Sequence, residues 1–321
     1  MGQKDSSTKK LMQKNEIFAD AFNLLVYNGK KVIKPETLQS LDTTSLAIPF
    51  NGKESKAVQK YRDVLKKLVV KSTSDTAYAI LGIENQSDIH LAMPVRNMLY
   101  DAIQYTNQVE ELAQTNKNKK EIEFLSGLKS DSKLIPVVTL TVYFGAKPWS
   151  GPKSLKEMIA VHDKSLAKYV QDYKIYLISP QLSDKKLDKL SSNLREVMKA
   201  IKHSGNKAKL NKLISSNKRY KNIDTQAAMV IKDTAGLALD IDAQKEKTNM
   251  CKAWEDMKVE LLSKGKKEGI KEGIKEGKKE GKKEEQAKNI KENIKKAKAL
   301  VKAGTAKEIV AKIMGVNIAL L

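Results

Sequence analysis

This sequence predicts an α/β fold followed by a helical region and a charged tail, and three patterns carry the prediction. Leu134 to Gly145 (Leu-Ile-Pro-Val-Val-Thr-Leu-Thr-Val-Tyr-Phe-Gly) is dense in β-branched residues with little polar alternation, as in a strand inside a sheet. Ahead of it the apolar spacing switches from helical to strand-like and back, giving the order helix, hairpin, helix, strand, strand. From Leu187 onward only helical spacing remains, and from Gly265 a Glu-Gly pair recurs every four residues.

Taken in order, Met12 to Tyr27 has Ile17, Phe18, Ala21, Phe22, Leu24 and Leu25 at helical spacing, with Glu16 and Asp20 one turn apart on one side. Asn28-Gly29 ends this helix, since glycine readily takes the left-handed position after a helix. Pro35 to Gly52 holds turn formers and a brief strand near Leu46 to Phe50. Lys60 to Lys71 suits helix or strand by its apolar spacing. Its β-branched end and the polar turn Ser72-Thr73-Ser74-Asp75 favour a hairpin with the strand that starts at Tyr78. Pro94 opens a helix over Val95 to Ala113, whose polar side shows Arg96, Asn97, Asp101 and Gln104. In the following strand Pro136 marks the beginning and the strand should sit centrally. Trp149-Ser150-Gly151-Pro152 is a turn into a short helix around Leu155 to Ile159, and Lys174 to Pro180 is a second short strand.

Helices are expected over Leu190 to Ile201, Asn206 to Ile214, Asp224 to Ala238 and Asn249 to Leu262. The boundaries that follow are an α/β domain over 1–182, a helical subdomain over 183–262, a repeat segment over 263–286 and a helical pair over 287–321. In the repeat each glycine costs ~1 kcal/mol against alanine in a helix, so it reads as a marginal helix or a flexible charged linker. The final pair matches a helix-turn-helix less readily than a packing or oligomerisation element.

A net charge of +22 favours a polyanionic partner, nucleic acid or an anionic surface. Only four of the 60 basic residues are arginine, the side chain best suited to phosphate, so the excess is a lysine excess. One cysteine, Cys251, excludes an internal disulfide framework and a cysteine-built zinc site and fits a reducing compartment. The polar stretch Met1 to Lys10 lacks the apolar core of a signal peptide, and no run approaches the roughly 18 apolar residues of a membrane span. These features read as a cytoplasmic protein with no membrane partner.

Chemistry concentrates in Tyr78 to His90. Its first half is apolar enough for a buried strand, yet it ends in Glu84 and Gln86, which share one strand face by alternation. By pattern alone a strand running into solvent accounts for this more readily than a metal site does. The hairpin alters the balance, because it brings Asp63 onto the strand beside Glu84, two carboxylates within reach of one cation. The three histidines show no spacing suited to a nucleophilic centre, and His90 reads as a surface histidine at a strand end. No glycine-rich phosphate loop stands at a strand-to-helix junction.

Arg62-Asp63-Val64-Leu65, Leu81-Gly82-Ile83-Glu84-Asn85-Gln86-Ser87 and Met93-Pro94-Val95-Arg96-Asn97-Met98-Leu99-Tyr100-Asp101 resemble the recombination-promoting nuclease family of YhgA-like transposases, within the PD-(D/E)XK nuclease superfamily. Pro136 to Leu140, Trp149 to Leu155, Leu194 to Val197, Met250 to Met257 and the Glu-Gly repeat extend the resemblance over nearly the whole chain. It implies a restriction-endonuclease-like core, a mixed sheet flanked by helices, within 1–182, and a bacterial metal-dependent DNA endonuclease that promotes recombination or acts on mobile or foreign DNA. Asp63 and Glu84 would be the metal-binding carboxylates, with the Asn85 carbonyl as a further ligand to Mg²⁺ or to Mn²⁺ or Ca²⁺. Glu16 or Asp20 would add an acid from the first helix. Gln86 stands where the superfamily has lysine: it can hold a water but brings no charge, and Arg96 is the candidate to supply charge or hold phosphate. Two other readings are a catalytically inactive nucleic-acid-binding or regulatory protein on the same fold, and a homo-oligomer assembled through the Glu-Gly tail.

Overall fold

The computed structural model of the protein describes residues 3–42, 44–47, 58–61, 63–71, 76–117, 122–160 and 163–321. The chain forms two units, Met1–Trp254 and Glu255–Leu321. Where the spacing predicts one helix over Met12 to Tyr27, there are two, α1 (Gln3–Gln13) and α2 (Asn15–Tyr27). Lys66 explains the break at Lys14: its buried ammonium donates to the Gln13 carbonyl at 2.7 Å and to the Asn15 side chain, and lies 5.3 Å from the centre of the Phe18 ring. A cation at the end of α1 also suits the negative pole of that helix. Asn28 and Gly29 then take left-handed conformations (φ 54° and 88°) and end α2 as expected.

β1 (Leu38–Ser40), β2 (Thr44–Ala47), β3 (Val58–Tyr61), β4 (Val64–Lys71) and β5 (Thr76–Gln86) follow, then α3 (Met93–Asn116), β6 (Val137–Tyr143), α4 (Lys164–Ala167) and β7 (Tyr176–Ile178). β2 and β3 pair with each other. The other five strands make a mixed sheet in the order β1-β4-β5-β6-β7, antiparallel from β1 to β5 and parallel from β5 to β7. The α/β class and the β4–β5 hairpin are therefore as the residue pattern predicts. Its turn, Ser72 to Asp75, lies outside the described residues, as do residues 48–50 of the strand expected near Leu46. The central strand is β5; β6 stands next to it, paired on both sides.

Alternation gives the sheet two unlike faces. Val64, Lys66 and Leu68, with Leu81 and Ile83 and with Leu140 and Val142, form one buried face beneath α2, where Phe18 and Phe22 stack 5.1 Å apart. The face toward α3 is apolar at one end, where Leu65, Ile80 and Val137 cluster, and polar elsewhere. Asn97, Asp101, Gln104 and Gln108 of α3 are buried, whereas Val95 and Met98 are exposed. Polar partners on the sheet account for it: the Asn97 amide donates to Thr141 Oγ1 at 3.1 Å, Thr139 and Tyr173 hydroxyls donate to Asp101, and Gln108 bonds both polar backbone atoms of Ile135. A polar helix side can be buried when most of its groups meet a partner; Asn97 Oδ1 is buried without one.

The remaining elements of the first unit are α5 (Asp184–Leu187), α6 (Leu194–His203), α7 (Lys207–Ser216), β8 (Ile223–Asp224), α8 (Thr225–Ala235) and β9 (Lys247–Thr248). α8 packs on α1 and α6. Asn206 and Asp224 cap α7 and α8 through their side chains, and Gly236 ends α8 with φ 62°. Glu196 is buried between two guanidiniums, Arg195 at 3.0 Å and Arg219 at 2.8 Å, which gives the Leu194-Arg195-Glu196-Val197 stretch a structural role.

The Glu-Gly repeat is helical. It lies within α9 (Met250–Lys302), a helix of 53 residues that ends before Gly304, with α10 (Lys307–Met314) after it. The ion pair of Lys264 with Glu260 at 2.7 Å, one turn apart, is the kind of contact that offsets glycine in such a helix. Nothing stands within 4 Å of a Cβ placed on Gly269, Gly273 or Gly277. Replacing these three by alanine should therefore stabilise α9 by about 1 kcal/mol each, read as higher helicity in far-ultraviolet circular dichroism on heating. No described helix is long and apolar enough to cross a membrane.

Candidate active site

The site forms where β5 runs past the start of β4. Val64 pairs with Ile83, so Glu84, Asn85 and Gln86 extend beyond β4, beside Asp63, which immediately precedes it. On its other side β5 stays paired with β6, Glu84 opposite Thr141 and Gln86 opposite Tyr143. The Ile80 N–H reaches Pro136 and the Gln86 carbonyl accepts from Phe144, both toward β6, so alternation turns the Asn85 backbone toward β4. Its N–H donates to Asp63 Oδ2 at 2.9 Å. The Asn85 carbonyl points to the same side.

Glu84 is fully buried, and Arg96 in the first turn of α3 reaches it, Nη2 to Oε2 at 3.1 Å. Arg96 is steadied by Tyr100, whose hydroxyl accepts from Nε at 3.2 Å and whose ring lies 5.6 Å away. Burial holds the Asp63 carboxyl above its ordinary value, against the opposing pull of the Asn85 N–H and of Arg96 and Lys9. Asp63, Asn85, Gln86 and Arg96 line one cavity of about 300 Å³, together with Asp5, Ser87, Asp88, Ile89 and His90. Asp5 comes from α1 and accepts from Ser87 Oγ at 3.0 Å. Below the cavity Trp149 packs edge-on against Tyr143, with ring centres 5.3 Å apart, in a cluster with Met93 and Ile175. Among the described residues no three His, Cys, Asp or Glu side chains are grouped to hold a metal.

The raised Asp63 has a stability consequence. Below the ordinary carboxylate range, near 3.8, both folded and unfolded chains hold the proton and burial costs nothing. As pH rises from there through the raised folded value, the unfolded chain ionises first and stability falls. Asp63→Asn should therefore melt at a higher temperature than wild type at neutral pH and lose the difference toward acid, in melts over a pH series.

Asp63, Glu84, Asn85, Gln86 and Arg96 thus come together. The two helix acids do not join them. Glu16 is exposed and does not line the cavity. Asp20 is buried and accepts from the backbone N–H and hydroxyl of both Ser191 and Ser192, so it ties α2 to the segment before α6. The acid that α1 or α2 contributes is Asp5, in a stretch whose polar composition hides its role. Its signal is faint: the small and apolar Ser7, Thr8, Leu11 and Met12 are the buried side of α1, and Asp5 and Lys9 stand one turn apart. His90, expected at the surface, lines the cavity with Nδ1 buried.

The model of the family described as "Putative transposase, YhgA-like" matches residues 30–228. This chain belongs to that family. The matched region holds Asp63, Glu84, Asn85, Gln86 and Arg96 and begins beyond Asp5. No curated protein and no solved structure matches the chain.

Proposed function

We propose that the protein is a divalent-cation-dependent DNA endonuclease on a PD-(D/E)XK-type core, promoting recombination or acting on mobile DNA. The observation that carries this reading is a fully buried glutamate set beside a half-buried aspartate across the β4–β5 hairpin, at an open cavity. Two carboxylates buried in whole or part at one hairpin end call for positive charge; Arg96 meets Glu84 and a divalent cation would serve both. The donors would suit a hard ion: two carboxylates and the Asn85 carbonyl are oxygen ligands of the kind that Mg²⁺ prefers and Mn²⁺ or Ca²⁺ accept. Bound there, such a cation supplies an activated water and neutralises charge on the phosphodiester.

The chain's own groups do the rest. Asp63 and Glu84 would hold the cation beside the cavity. The Gln86 amide orients a water by hydrogen bonding without adding charge. Arg96 supplies a planar cation for phosphate oxygens, and the net charge of +22 draws a polyanion in. The family's description as transposases points to the same substrate class.

Gln86 also favours a second reading, an inactive nucleic-acid binder on this fold. Incubation of the full chain with supercoiled plasmid separates the two. The nuclease reading expects nicking that starts with Mg²⁺ and stops with a chelator. Salt-sensitive binding without nicking in any divalent cation would establish the binder instead.

A further inference from the structure

We propose that Arg96 and the divalent cation compete for Glu84, so that Arg96 passes from that carboxylate to a phosphate oxygen when the cation binds; this rests on the cation site proposed above. Glu84 is fully buried, and Arg96 Nη2 meets its Oε2 at 3.1 Å. A doubly charged ion held by Glu84 and Asp63 would bring like charge close to the guanidinium that now meets Glu84. In a poorly screened site like charges so placed repel strongly, which favours displacement of one of them.

The surroundings of Arg96 permit the move. Its Nε bonds Tyr100 and its guanidinium lies by that ring, contacts that hold the stem without engaging Nη2. The side chain is about one-third exposed (31%) and lines the cavity with Asp63, Gln86 and His90. A small rotation carries its terminal nitrogens from Glu84 into that space. There the flat fork meets phosphate oxygens in the geometry it fits best. Where Gln86 adds no charge, Arg96 released from Glu84 would supply it to the phosphate, and cation and DNA would each strengthen the other's binding.

Calorimetric titration of Ca²⁺ into the full-length protein, with and without a short DNA duplex, tests this without reference to cleavage. Without DNA, Arg96→Gln should bind Ca²⁺ about tenfold more tightly than wild type, since the competing charge is gone. The duplex should raise the Ca²⁺ affinity of wild type by about tenfold and that of Arg96→Gln by much less. Arg96→Lys keeps the charge but lacks the fork, and should bind Ca²⁺ as wild type does alone while showing weaker coupling to DNA. Melting curves establish that each variant is folded, and Arg96→Lys carries the test if Arg96→Gln is not. Ca²⁺ affinity unchanged or weakened in Arg96→Gln, or coupling retained in full by the variants, overturns the exchange and leaves the nuclease reading standing. Failure of wild type to bind Ca²⁺, Mg²⁺ or Mn²⁺ overturns both.

Discussion

Glu84→Ala is expected to reduce Mg²⁺-dependent nicking by roughly 10²–10³-fold or more, with Asp63→Ala close behind. On the proposed reading both carboxylates would hold the same ion, so the effects should not add: the double variant should be little worse than either single one. The fold should survive in each case. Asp63 stands outside the strand pairing, and the Arg96 left behind by Glu84→Ala borders a cavity open to water. Initial rates of plasmid nicking, measured beside melting curves, give the comparison. Nicking at the wild-type rate by the double variant would remove the reaction from this cavity altogether. Loss of nicking together with a collapse of the melting transition would instead mark the carboxylates as structural.

Asp20→Ala should do the reverse, destabilising the protein strongly while leaving each folded molecule as active as before. The carboxylate accepts from two backbone N–H groups and two hydroxyls of Ser191 and Ser192, at 2.6–3.1 Å. Alanine leaves buried donors without an acceptor, at a cost of about 3–5 kcal/mol when their penalties combine. Urea unfolding measures it as a fall in midpoint with little change in slope. If Asp20→Ala kept its stability and lost nicking, the acid would belong to the active site and its bonds to the serines would be incidental.

These two carboxylates differ in how far their placement is legible in the sequence. For Glu84 the legible features are strand alternation, an abrupt polar end to an apolar run, and a partner strand one short turn away with Asp63 at its start. All are short-range, and the hairpin register bears them out. Asp20 lies on a helix whose period is equally plain, but period only says that it shares a side with Glu16. Which acid turns toward the site depends on what α2 packs against, and Ser191 lies 171 residues further along.

The same distinction runs through the rest of the molecule. The sequence by itself determined the α/β class, the β4–β5 hairpin, the helix after Pro94, the capped helices after Leu187 and the convergence of Asp63 with Glu84. Each of these follows from propensity, periodicity or a single turn, interactions between residues close in the chain. Only the tertiary structure decided that α3 buries its polar side, that Lys66 divides the first helix, that His90 borders the cavity, and that Asp5 is the helical acid there. Those outcomes depend on groups brought together across many residues, where a buried polar atom is tolerated because a distant partner satisfies it. A local pattern registers the polarity of such a residue and not the partner that makes its burial possible.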